Sequence, residues 1–118
     1  MNPVDLVQEQ LEAYNTRDLD RFVATYSETI RIFRMPAEEP AIAGKAQLAD
    51  TYRNRFSSPN LHATIVNRIV IGNKVIDHER VVGIKEAPVE AVAVYEVVDD
   101  LIETVWFFYP EAPLPVPQ

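Results

Sequence analysis

Residues 69–82 constrain the fold most, because two β-rich runs meet there at a two-residue turn. The turn is the Gly-Asn pair at 72–73, and glycine supplies the positive φ angle that a type II′ hairpin turn requires. Side chains alternate between the two faces of a strand, so His78 and Arg80 share one face of the second run. We therefore predict a hairpin whose second strand has polar and apolar residues on both faces.

The remaining chain divides into helical and β-rich segments. A helix is predicted from about 2 to 16, a second begins at Asp18 and includes Tyr26, and a third spans about 45–56. The predicted strands cover about 29–34, 61–71, 74–85, 90–98 and 101–109, with a two-residue strand near 41–42. Helices placed ahead of a meander predict an α+β fold, with the helices covering one face of a curved antiparallel sheet. A cavity between these layers would suit a small molecule.

The length of 118 residues and the hydrophobic content of 47% fit a single domain. We place that domain at residues 1–109. The last segment, 110–118, has a proline at almost every other position, which favours an extended polyproline conformation. We expect it to form a loosely held tail.

Charge and residue content exclude several classes of protein. The net charge of −7 opposes binding to a phosphate backbone, so we expect no nucleic-acid partner. The chain has no cysteine, which excludes disulfides and thiolate metal sites. Its first residues lack the basic and apolar regions of a signal peptide, and no apolar run reaches the roughly 18 residues of a membrane span. We expect a soluble cytoplasmic protein with no membrane partner.

Four segments, in this order, resemble a known family: YNTRDLD at 14–20, IAGK at 42–45, DHE at 77–79 and LIETVWFF at 101–108. Together they make residues 4–109 similar to the nuclear-transport-factor-2-like (NTF2-like) superfamily, in the branch of the ketosteroid isomerases and SnoaL-like proteins. The resemblance implies a conical α+β barrel, usually dimeric, with three N-terminal helices on a strongly curved sheet and an internal ligand pocket. The superfamily contains enzymes and non-catalytic binding modules, so the resemblance implies fold more directly than function.

The best-understood chemistry in this branch is ketosteroid isomerisation, by an Asp base with a Tyr and a protonated Asp that hold an oxyanion. The family match places Met35 at the base, Gln10 at the oxyanion Tyr and Tyr95 at the protonated Asp. Methionine cannot accept a proton, and none of the three residue types is reproduced. We therefore predict that the chain is not a typical ketosteroid isomerase.

The catalytic candidates are His78, Arg80 and Tyr95. Imidazole titrates near neutrality, and the strand match points His78 and Arg80 into the cavity. The planar guanidinium of Arg80 could hold a carboxylate or enolate oxygen, and Tyr95 could donate a hydrogen bond. The alternative is that His78 and Arg80 pair with internal carboxylates and only stabilise the fold.

Aromatic residues supply most of the ligand-binding candidates, because their rings suit an apolar wall and their polar tips suit a ligand. Tyr14 and Tyr95 are the strongest of them, since the family match places them nearest the cavity. For each ring, packing in the core is the alternative role. The candidates for ligand contact are Tyr14, Gln10, Tyr26, Met35, Tyr52 and Trp106.

Asp77 and Glu79 share the other face of the same strand, and two carboxylates at that spacing could do acid–base chemistry. We expect them instead on the outer face of the sheet, exposed or at a dimer interface. With two histidines and no His-x-x-x-His spacing, the sequence predicts no metal site, and no glycine-rich phosphate loop is present. We expect no cofactor.

Two functions remain open from the sequence. One is an enzyme that performs acid–base chemistry of the isomerase, cyclase or hydrolase type on a small, largely apolar molecule. The other is a non-catalytic module for ligand binding or dimerisation. We also expect a homodimer through the outer sheet face, with an apolar patch of Val75, Val81, Val105 and Phe107.

Overall fold

The computed structural model describes residues 1–110, so all but the first residue of the predicted tail lies outside the described part. The helices are α1 (Pro3–Thr16), α2 (Leu19–Val23) and α3 (Lys45–Arg55). The strands are β1 (Tyr26–Arg34), β2 (Ile42–Ala43), β3 (His62–Ile71), β4 (Lys74–Val82), β5 (Val89–Val98) and β6 (Leu101–Phe108). The predicted elements are all present, with two main corrections to their boundaries. Tyr26 begins β1 and does not belong to the second helix, and β4 ends at Val82, three residues before the predicted end.

Local chemistry explains where the first two helices begin and end. Asn2 caps α1, because its side-chain oxygen accepts a hydrogen bond from the Asp5 N–H at 2.8 Å. Arg17 ends the helix in the left-handed conformation, with φ of 55°. Asp18 caps α2 at once through the Arg21 N–H at 3.2 Å. The tight link between the two helices holds their apolar faces against the sheet.

Six strands form a single sheet in the order β2-β1-β6-β5-β4-β3. The β1–β6 pair is parallel and the other pairs are antiparallel. The predicted hairpin is confirmed, and Gly72 has φ of +56° at its turn. The three helices cover one face of this curled, unclosed sheet, which confirms the predicted NTF2-like α+β cone.

The two faces of β4 are the reverse of those predicted. Val75, Asp77, Glu79 and Val81 are buried beneath the helices, whereas Arg80 is exposed and the other even-numbered residues of the strand also lie on the outside. Both faces have apolar residues, so alternation alone did not decide the orientation. The inward orientation of Asp77 is stabilised by two hydrogen bonds from Arg68, which are described below.

The predicted apolar patch is wrong for the same reason. Val75, Val81 and Val105 are at most 4% exposed and belong to the core, and Phe107 packs against that core. The outer face instead has a row of apolar residues that are neighbours in the strand register. We call this the outer apolar row, and it consists of Ile69, Ile76, Val94, Trp106 and Phe33.

The structure also bears on two other expectations. Among residues 1–110, no helix is both long enough and apolar enough to cross a membrane. The same residues contain no group of three or more His, Asp or Glu side chains placed to hold a metal ion.

Candidate functional site

A cavity of about 600 Å³ lies between the inner face of the sheet and the helices. Helices α1 and α3 form one wall and strands β4, β5 and β6 form the other. The connection from β4 to β5 lies along the opening. Gly83 begins that connection with φ of +93°, and a Cβ atom there would lie 2.6 Å from the backbone of Leu61. This close approach fixes the loop beside the cavity and requires glycine.

Aromatic rings form the helix side of the cavity. Phe22 is fully buried, and its ring centroid lies 6.1 Å from Tyr14, 5.0 Å from Tyr26 and 4.6 Å from Tyr52. Phe56 packs edge-on against the Tyr14 ring at 5.5 Å. Because a buried phenylalanine holds three tyrosine rings, their positions at the cavity wall are set by core packing.

Glu79 is the titratable group at the centre of this site. The pKa of its carboxyl group is raised to about 7, chiefly by burial and also by the charge of Asp77, whereas the charge of Arg55 opposes the shift. Its side chain is 9% exposed and makes no hydrogen bond or ion pair with any other residue in 1–110. Glu79 is therefore a buried acid that faces the cavity and is half-ionised near neutral pH.

Asp77, two residues earlier on the same face, has a different environment. Its carboxylate accepts two hydrogen bonds from the Arg68 guanidinium, at 2.6 and 2.9 Å. Arg68 also donates to the side-chain oxygen of Gln8 at 3.0 Å. Asp77 does not line the cavity. This carboxylate therefore ties β4 to β3 and α1 and is not available to a ligand.

Three tyrosine hydroxyl groups surround the same space without a protein partner. Tyr26, Tyr52 and Tyr95 are each at most 6% exposed and line the cavity, yet none hydrogen-bonds to another described residue. In residues 1–110, Ser27 Oγ is the one fully buried side-chain oxygen or nitrogen atom that has no hydrogen-bond partner. The three tyrosine oxygens are therefore not fully buried, and they remain accessible from the cavity. Burial raises the pKa of each hydroxyl well above its usual value, so all three stay protonated donors.

Cationic side chains lie at the other end of the cavity. Arg55, in the last turn of α3, is half-buried and its guanidinium lies over the Tyr52 ring at 5.3 Å. Arg34, at the end of β1, and Lys85, in the β4–β5 loop, also line the cavity. The site thus combines an aromatic wall, an unpaired acid, free phenol donors and a cationic mouth.

Five of the residues predicted for the site line the cavity: Gln10, Tyr14, Tyr26, Tyr52 and Tyr95. Their predicted contact with a ligand stays a prediction. The sequence did not identify Glu79, Arg34 or Arg55 as site residues. The sequence did indicate the inward position of Glu79, because Val75 and Val81 lie on the same face of the strand and both are core residues.

Four predicted site residues lie elsewhere. His78 and Arg80 are on the outer sheet face, where His78 Nε2 lies 2.8 Å from the Glu90 carboxylate, so their predicted position inside the cavity is wrong. Trp106 is stacked on Phe33 in the outer apolar row, with ring centroids 6.4 Å apart. Met35 is half-buried beyond the end of β1 and does not line the cavity. Without an inward position, the proposed acid–base role of His78 has no structural basis.

Three solved structures show the same fold. An NTF2-like protein of unknown function from Cytophaga hutchinsonii matches with a TM-score of 0.79 and 14% identity, over 92% of this chain and 90% of its own. A candidate ketosteroid isomerase from Kribbella flavida matches with a TM-score of 0.78 and 23% identity, over 98% and 83%. An LEH-like epoxide hydrolase from M. tuberculosis matches with a TM-score of 0.75 and 17% identity, over 91% and 81%. At these identities the likeness shows the fold alone.

No curated protein sequence matches this chain. The SnoaL-like domain family matches residues 7–105, which is most of the chain and includes every element from the middle of α1 to β6. The matched range also contains the residues that carry the aromatic wall and the buried acid. The chain therefore belongs to the SnoaL-like domain family, within the NTF2-like fold.

Proposed function

We propose that the cavity binds a small, largely apolar carbonyl compound and that Glu79 transfers a proton to or from it. The observation that carries the proposal is the buried carboxyl group of Glu79, which faces the cavity without a protein partner. A carboxyl group whose pKa is about 7 can accept a proton and return it at neutral pH. The aromatic wall suits the apolar body of such a ligand.

The chemistry would divide between Glu79 and the tyrosines. Ionised Glu79 would take a proton from the carbon beside the carbonyl group, and negative charge would develop on the carbonyl oxygen. A hydroxyl group of Tyr26, Tyr52 or Tyr95 would donate a hydrogen bond to that oxygen, which stabilises the enolate. Protonated Glu79 would then deliver the proton to a different carbon of a conjugated enolate, which shifts the double bond and gives isomerase-type chemistry without the residues that the ketosteroid isomerases use; return to the same carbon gives only hydrogen exchange.

Enolisation of β-tetralone tests the proposal. This ketone has an aromatic body and readily exchanged protons beside its carbonyl, and NMR in D2O measures how fast deuterium replaces them. We expect the protein to accelerate exchange, and Glu79→Gln to lower the catalysed rate by about 100-fold, the usual contribution of a general base. Glu103→Gln makes the same chemical change on the outside, where Glu103 accepts a hydrogen bond from Thr29 at 2.7 Å, and should leave the rate unchanged.

Two outcomes would contradict this function. Equal catalysed rates for the wild type and Glu79→Gln would remove Glu79 as the base. Binding of β-tetralone to the wild type without faster exchange would favour the alternative function, a non-catalytic ligand-binding module.

The outer apolar row supports a second proposal, a homodimer formed by two copies of this sheet face. Residues of both charges lie at the edges of the row: Arg31 lies over the Phe33 ring, and Lys74 pairs with Glu96 at 3.5 Å. A face with both signs of charge can match itself across a two-fold axis, which is the usual symmetry of a homodimer.

Sedimentation velocity tests the dimer through Val94, at the centre of the row. We expect the wild type to sediment as a dimer and Val94→Glu as a folded monomer, because a charge would be buried against the same charge of the second copy. Val98→Glu places a charge at an exposed valine beside the β5–β6 turn and should stay dimeric. A monomeric wild type at every concentration would overturn the proposal.

A further inference from the structure

We propose that the ligand of this cavity has a carboxylate group, held at the cavity mouth by the guanidinium of Arg55 with Arg34 beside it. The inference rests on the ligand-binding part of the proposed function and names the class of molecule that it accepts: an aromatic or alicyclic monocarboxylic acid. Its apolar body would lie against the tyrosine wall, and the carbonyl group that the proposed function requires, separate from the carboxylate, would point towards Glu79.

The two arginines line the same cavity although they come from different elements. Arg34 is the last residue of β1 and pairs in register with Phe107 on β6, while Arg55 is the last residue of α3. Both guanidinium groups lower the pKa of the Tyr109 hydroxyl group against the larger effect of burial, which raises it. A single side chain at the mouth is therefore within electrostatic reach of both arginines.

Neither arginine is neutralised within residues 1–110. Three of the six other arginines have carboxylate partners: Arg21 pairs with Glu9, Arg53 with Asp50 at 2.7 Å, and Arg68 with Asp77. No carboxylate of the described residues lies within ion-pair distance of Arg34 or Arg55. Arg55 is the more telling of the two, because a half-buried guanidinium loses hydration without gaining a counter-charge.

The positive mouth is unusual in a chain with 18 acidic and 11 basic residues. Among the described residues, only two acidic side chains line the cavity. Glu79 is largely protonated below pH 7, and Glu90 faces His78 at 2.8 Å. Arg34, Arg55 and Lys85 thus leave the cavity cationic below neutral pH, and a cavity with low-dielectric walls concentrates such a field on an entering anion.

Arg55 is also held in place before a ligand arrives. Its guanidinium lies over the Tyr52 ring at 5.3 Å, and the Tyr14 hydroxyl group is close enough to raise the pKa of Arg55. A fixed guanidinium presents parallel N–H donors that match the two oxygens of a carboxylate.

Calorimetric titration with naphthylacetate and with its neutral amide, naphthylacetamide, tests the inference. The two probes share the aromatic body and differ in charge. We expect the wild type to bind the acid at least about tenfold more tightly than the amide, the size expected for a charge-assisted hydrogen bond. Arg55→Met should bring this ratio to about one and leave amide binding within about twofold, because it removes the charge and keeps the apolar stem.

Two matched variants separate the charge from the fold. Arg53→Met changes an exposed arginine of the same helix, paired outside the cavity with Asp50, and should keep the wild-type preference. Arg55→Lys keeps the charge without the planar fork and should give an intermediate ratio. If the wild type binds both probes equally or binds neither, or if Arg55→Met keeps the preference for the acid, the inference is wrong.

Failure of the carboxylate site can be distinguished from failure of the proposed catalysis. If the preference for the acid depends on Arg55 but β-tetralone exchange is not catalysed, the carboxylate site stands and the enzymatic function falls. If exchange depends on Glu79 but the acid has no advantage, the carboxylate site alone is wrong.

Discussion

Asp77 and Glu79 lie two residues apart on the same buried face of β4, yet the structure gives them different roles. Asp77 is bound to Arg68 through two hydrogen bonds and ties three elements together. Glu79 has no protein partner in the described residues and faces a cavity of about 600 Å³. The difference shows that the partner which reaches a carboxyl group, more than its place in the sequence, decides whether the group is tied into the fold or left facing the cavity.

The largest effect on the free energy of unfolding should come from replacing Asp77, the carboxylate that is tied into the fold. Asp77→Asn keeps the shape of the side chain but leaves the half-buried Arg68 without a counter-charge. We expect a loss of about 4 kcal/mol in the free energy of unfolding, as for other broken buried ion pairs. Urea denaturation at pH 7 measures it, and a loss below about 1 kcal/mol would show that the pair contributes little to stability.

Replacing Glu79 should instead stabilise the protein, by a smaller amount that depends on pH. The unfolded chain releases this proton near pH 4.5 and the folded chain near pH 7, so rising pH favours unfolding between those values. Glu79→Gln removes this dependence. Relative to the wild type, we expect little difference below pH 4.5 and a variant more stable by about 3 kcal/mol above pH 7.

The control for this variant lies on the other face of the same strand. His78→Gln should change the free energy of unfolding by no more than about 0.5 kcal/mol at pH 8, since His78 and Glu90 form an exposed surface pair. Urea denaturation across the pH range measures both variants. The comparison fails if Glu79→Gln follows the same pH profile as the wild type.

Much of the fold could be predicted from local sequence signals. Asn2 and Asp18 cap the helices that they were expected to cap, and Gly72 forms the hairpin turn. The family resemblance supplied the cone, including the cavity that five of the predicted residues line. These features depend on short-range chemistry and on a pattern spread along the whole chain, both of which are visible in one sequence.

The orientation of β4 could not be predicted in the same way, because it depends on β3. The pairing register shifts between Ile65 and Asn67, so residues on either side of this bulge alternate in opposite phase. The shift places Arg68 on the inner face, directly opposite Asp77, and supplies the cationic partner that the buried carboxylate needs. Nothing in the local pattern marks that bulge, and without it the polar inner face was assigned to His78 and Arg80.

The central claim is that Glu79 is a buried, unpaired acid poised near neutral pH. Carbon-13 NMR of the side-chain carboxyl carbon measures its titration directly, with the resonance assigned from its disappearance in Glu79→Gln. We predict a titration midpoint at about pH 7. A midpoint near 4.5, the ordinary value for a glutamate, would contradict the account.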